Sequence, residues 1–206
     1  MKKIKKGLLI SVLIIVTLII VVLVFTNFIT PAYFNVSGIT YYRLDNNDDE
    51  GTPYDDGLDA NDYFSILNEE FQSYKTSLYD DQQFLAEYSE LPSDNPHDYI
   101  HVVYHINGKN LSFFDIDKGI VFFDDISDET KFFLFTDLVS ENLYIDRLSE
   151  NEWIFSCEVY VEGLSEEEIF EKLKNVSLQI SYKEGFVGNK QSNIQPSSDI
   201  KITEAK

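Results

Sequence analysis

Trp153-Ile154-Phe155-Ser156-Cys157-Glu158-Val159-Tyr160-Val161-Glu162 is the stretch that decides the fold. Trp153, Phe155, Cys157, Val159 and Val161 alternate with Ile154, Ser156, Glu158, Tyr160 and Glu162, so the apolar period is two. A strand with one face in the core produces that pattern. Ser165-Glu166-Glu167-Glu168 follows. Serine with glutamate three residues later is a capping box, each side chain satisfying the other residue's backbone N–H. Ile169, Phe170 and Leu173 give the resulting short helix a buried side. Val176, Leu178, Ile180 and Tyr182 then return to a period of two. The segment predicts strand, helix, strand, with the face of Trp153, Phe155 and Cys157 as the main core face.

Upstream, Ile100, Val102, Tyr104 and Ile106 form one face of another predicted strand. Asn107-Gly108 follows it and predicts a two-residue hairpin, because both residues tolerate positive φ. That turn would set Leu111 opposite Tyr104 and Phe113 opposite Val102. Further strands are predicted over 39–44, 119–123, 131–135 and 143–148. Phe64, Leu67, Phe71, Tyr74 and Leu78 recur at helical spacing and predict a helix over 62–79; a shorter one is predicted over 81–90, ended by Pro92. Neither helix is apolar all round, so each stripe needs a sheet to cover. The expected fold is α+β: an N-terminal transmembrane helix, then one or two amphipathic helices packed on an antiparallel β-sheet or sandwich.

The membrane expectation rests on the first 25 residues. Lys2, Lys3, Lys5 and Lys6 precede an uncharged run from Gly7 to Phe25. About 20 such residues cross a ~30 Å hydrocarbon core as a helix, and the lysines belong on the cytoplasmic side. The run is longer than the ~7–15 apolar residues usual in a cleaved signal peptide. The expected organisation is a cytoplasmic stub over 1–6, a transmembrane helix over 7–25, a juxtamembrane segment and acidic loop over 26–61, an extracellular domain over 62–190, and a loose polar tail over 191–206. Phe28, Tyr33 and Phe34 are expected at headgroup level as an aromatic belt.

The chain carries 36 acidic against 16 basic residues. Leaving out the four N-terminal lysines, the balance is 36 against 12, or −24. So acidic a surface repels nucleic acid and anionic lipid. The partners that fit are the membrane, through the helix, and a basic protein or peptide. With one cysteine, Cys157, an internal disulfide is impossible.

Chemistry is thinly signalled. His97, His101 and His105 are four apart. On a helix they would share a face and suggest zinc. On the predicted strand, His101 and His105 share a face but stand ~13 Å apart, too far for one tetrahedral ion. Asp45, Asn47 and Asp49 occupy positions 1, 3 and 5 of a possible calcium loop. Position 6 is Glu50, however, where that loop needs glycine for its sharp turn. His101, His105, Asp45, Asn47 and Asp49 are therefore only weak metal candidates. Cys157, between Phe155 and Val159, reads as a small buried hydrophobe rather than a nucleophile. No catalytic residue and no cofactor is expected. The sequence predicts a single-pass extracytoplasmic acidic domain with a non-catalytic binding or structural role at the cell envelope. The alternative is an envelope enzyme or cation-binding domain using acidic residues with His101 and His105.

Overall fold

The computed structural model describes residues 2–24, 32–43, 60–76, 83–84, 90–123, 133–137, 143–184 and 188–205. The deciding stretch forms strand β7, Glu150–Tyr160, and the histidine segment forms β3, Tyr99–Asn110. These two pair antiparallel along their whole length, from Tyr99 opposite Tyr160 to Lys109 opposite Glu150. On the other side of β3 lies β1, Ala32–Arg43, antiparallel from Ala32 opposite Asn110 to Arg43 opposite Ile100. Beyond β7 come β5, Phe133–Asp137, and the two-residue β2, Gln83–Phe84. Beyond β1 comes β10, Ile202–Glu204, which pairs with it in parallel. The first sheet thus runs β10-β1-β3-β7-β5-β2.

A second sheet has the order β6-β4-β8-β9. It comprises β6, Leu143–Ile145, β4, Ile116–Phe123, β8, Leu178–Glu184, and β9, Gly188–Ile194. One buried cluster joins the inner faces of the two sheets. Phe34, Ile39 and Tyr41 of β1, Val102, Tyr104 and Ile106 of β3, and Trp153, Phe155, Cys157 and Val159 of β7 meet Val121 and Phe123 of β4 and Leu178, Ile180 and Tyr182 of β8. Phe155 stacks edge-on against Phe123 at 5.4 Å, and Phe34 tilts against Tyr182 at 5.2 Å. Helix α3, Glu166–Lys174, adds Ile169 and Leu173 to this core, and its capping box from Ser165 to Glu168 is formed. The fold is α+β, with the sandwich form of its β part.

Helix α2, Ala60–Thr76, does not enter this core. Leu67 and Phe71 are fully buried outside it, and Phe64 packs its ring 5.9 Å from Tyr99 on the outer face of β3. Helix α1, Lys2–Val24, comes first in the chain. The Ser11 and Thr17 hydroxyls donate back to the Gly7 and Leu13 carbonyls. Among the described residues no helix is long and apolar enough to cross a membrane.

Four expectations are corrected. Asn107-Gly108 is no hairpin turn: β3 runs through it, with Asn107 and Gly108 opposite Glu152 and Asn151 on one side and opposite Asn35 and Phe34 on the other. Gly108 is there for packing. A Cβ on it would sit 2.3 Å from Trp153 Cζ3. The expected helix over 81–90 contains instead the short strand β2, paired to β5; its other residues, save Glu90, lie outside those described. The expected loose tail is structured, since β9 pairs with β8 over its whole length and β10 closes onto β1, burying Ile194 and Ile200. Phe34 is no belt residue; it is buried between Trp153 and Tyr182. The sandwich therefore begins at residue 32 rather than 62 and extends past 190.

Candidate functional site

With the inner face filled, chemistry is left to the outer face of the first sheet. Alternation places Tyr99, His101, Val103, His105, Asn107 and Lys109 of β3 there. Beside them from β7 stand Tyr160, Glu158, Ser156, Ile154, Glu152 and Glu150. Three pairs of a basic side chain with a carboxylate cross from β3 to β7. His101 Nδ1 lies 2.5 Å from Glu158 Oε1, His105 Nδ1 3.7 Å from Glu152 Oε1, and Lys109 Nζ 3.6 Å from Glu150 Oε2.

Their surroundings differ sharply along the strand. His101 and Glu158 are both buried, and Tyr42 of β1 packs its ring 5.9 Å from His101. Tyr99 packs against Phe64 and Tyr160, its hydroxyl donating to the Ser93 carbonyl at 2.6 Å. Burial pushes that phenol up to about 12. At the other end Ile154 is 54% exposed and Tyr33 is 63% exposed. Here Tyr33, Asn35, Asn107, Lys109, Glu150 and Glu152 line an open cleft of about 500 Å³. Two amides, a phenol, an ammonium and two carboxylates supply donors and acceptors of both kinds to one groove.

His105 sits where the two regimes meet. Its Nε2 is 3.0 Å from Thr40 Oγ1, so a hydroxyl, an imidazole and a carboxylate stand in the order used by hydrolases. The strand geometry argues against that use. Thr40 is paired on one side to Val103 and on the other to Thr203, so the adjacent backbone donors belong to sheet ladders. A tetrahedral intermediate would need free donors at that point.

The metal candidates do not converge. His101 is committed to Glu158 and His105 to Thr40 and Glu152, while His97 lies on the separate turn Pro96–Asp98. Among the described residues no three histidine, cysteine or acidic side chains gather as a metal would require. Asp45, Asn47 and Asp49 lie outside the described residues. Cys157 is buried, and burial pushes its thiol well up, away from the thiolate a nucleophile needs. The burial of His101 was missed at the sequence level, because the packing of Tyr42 from β1 is not written into β3. Asn35 and Tyr33 were missed because β1 was predicted to begin only at Ile39; alternation from Ala32 was the signal available. Thr40 lay in the predicted strand, but its approach to His105 comes from the pairing of β1 with β3.

No family model matches the chain, and no curated protein does. Among the solved structures that resemble it is the crystal structure of an uncharacterized β-sandwich protein from Clostridium difficile 630. The identity is 11% and the TM-score 0.22, over 57% of this chain and 78% of that one. A likeness that low carries no argument, and the site stands on its own geometry.

Proposed function

We propose that the chain is a single-pass, membrane-anchored extracytoplasmic domain with a non-catalytic binding role at the cell envelope, and that the open half of the outer face is its binding surface. The cleft carries this reading. Its lining draws polar side chains from three strands of one sheet, beside the buried half of the same face. The anchor is supported by the uncharged run 7–25 behind four lysines, and by a 23-residue helix whose described apolar side chains are all exposed. That orientation puts residues 1–6 inside the cell and the sandwich outside.

A basic protein or peptide is the partner the charge favours. Glu150 and Glu152 rim the cleft within a strongly acidic domain, and Lys109 is already engaged by Glu150. The test is retention of the full chain, in detergent, on an immobilised lysine-rich peptide at low and high salt. Glu150→Gln with Glu152→Gln should reduce binding, and Glu167→Gln on α3 should not. Equal losses would assign the attraction to the general acidic field and discard the cleft. The alternative, an envelope enzyme or cation-binding domain using His101 and His105, draws support from the Thr40–His105–Glu152 order alone. Hydrolysis of an ester substrate abolished by both Thr40→Ala and His105→Gln would favour it.

A further inference from the structure

The structure places an apolar platform at the end of the sandwich where β1 begins. β1 starts at Ala32, and Ala32 stands opposite Asn110, the last residue of β3. Two loops leave the sheet at this level: 111–115 after β3, and 146–149 before β7. They expose Leu111 and Phe113, each 38%, and Leu148, 59%. The loops are bolted together. The buried Asn110 side chain donates to the carbonyls of Phe114, Ile145 and Asp146 and accepts from Ser112 N–H, while Leu148 N–H donates to the Ser112 carbonyl. The tips are therefore a rigid surface rather than loose ends.

Leu148 adds a second, independent observation. Its φ is +55°, and it is the only non-glycine residue among those described with positive φ. Glycine or asparagine would fill that turn position without strain. A leucine held there with its side chain in water costs twice, once in the backbone and once in hydration. Such strain marks positions kept for a purpose outside the fold.

From these features we infer that the sandwich rests on its own bilayer through Leu111, Phe113 and Leu148, which enter the interfacial layer. The inference builds on the anchor proposed above. Only residues 25–31 lie between Val24 of α1 and Ala32, so the platform's level is at most roughly 29 Å from the end of that helix. Three apolar side chains would bind a membrane weakly from solution. The tether supplies a high effective concentration and makes a weak contact sufficient. Asp115, Asp146 and Glu150 flank the tips against Arg147 and Lys109. The surface they suit is zwitterionic lipid, and anionic lipid would push the domain upright.

The full chain is reconstituted in phosphatidylcholine vesicles with single cysteines at Phe113, Leu148 or Glu167, each carrying an environment-sensitive fluorophore. Native Cys157 is buried and does not compete for label. Glu167 opens α3, past the far end of β7, and serves as the distant reference. Docking predicts blue-shifted emission at 113 and 148, quenching by spin-labelled lipid, and several-fold slower iodide quenching than at 167. Leu148→Gly, which relieves the strained turn, should weaken lipid quenching at 113 without lowering stability. Iodide quenching at 113 and 148 equal to that at 167, in chains that resist alkaline extraction from the vesicles, would overturn docking and keep the anchor. Chains released by alkaline extraction would overturn both. Protection that persists in detergent and rises with protein concentration would assign the platform to a second copy and overturn membrane docking.

Discussion

His101–Glu158 and His105–Glu152 are the same kind of pair on the same two strands, yet one is buried and the other open to water. The backbone treats them alike; β3 and β7 stay in register through both. What separates them is their surroundings. Tyr42 packs on His101, and Tyr99 beside it packs against Phe64 of α2 and Tyr160, while the half carrying His105, Ile154 and Lys109 stays wet. A sheet face is thus divided by what lies over it, and side chains of one composition become structural in one half and available in the other.

The inner face sets the scale against which both outer halves are measured. Trp153 is 6% exposed and its neighbour Ile154 faces outward. Trp153→Ala should cost about 3–5 kcal/mol through the cavity it leaves. Ile154→Ala, in the open half, should cost about 1 kcal/mol or less. Urea unfolding of both variants checks this, and equal losses would mean the open half is covered in solution. Gly108→Ala should cost about 1–3 kcal/mol by overpacking, since its Cβ would collide with Trp153. A neutral result would restore the hairpin that Asn107-Gly108 suggests.

The two pairs themselves give a sharper contrast. Glu158→Gln should destabilise by about 1–3 kcal/mol, because it disturbs a buried hydrogen bond to the His101 imidazole. Glu152→Gln should cost at most about 1 kcal/mol, since that pair is exposed. A reversed order would mean that the His101 end of the sheet is open in solution. The gentlest effect is on alkaline stability. Burial raises Tyr99 and Tyr182 from 10.0 to about 12. Below pH 10 both states hold these protons and the contribution is complete. Between pH 10 and 12 the unfolded chain releases them while the folded chain keeps them, so stability falls as pH rises. Tyr99→Phe should flatten that slope in denaturant melts taken across the window.

Most of the β-structure was legible because period two survives in β3, β7 and β8 whatever surrounds them. The capping box of α3 was legible because all its parts lie within four residues. What failed to show depended on distant partners. Asn107-Gly108 has turn chemistry, but the glycine answers to Trp153, far along the chain and adjacent in space. β9, Gly188–Ile194, is almost wholly polar and becomes a strand only because β8 offers it an edge. Of the candidate site, the shared face of His101 and His105 was visible. Their different fates were not, since those depend on the side chains that β1 brings beside them.

The pairing of β10 with β1, Ile39 beside Ile202, has a kinetic consequence. The β1 strand gains its second neighbour from residues 202–204, far along the sequence. Closing such a loop spends chain entropy long before any contact repays it, so the domain belongs with slow, high-contact-order folders, at milliseconds to seconds rather than microseconds. Until residues 202–204 have been made, one edge of β1 stays unsealed. A molecule released early, lacking residues 202–204, would keep its core sequence and carry an open strand edge, the feature that pairs with other unfinished chains.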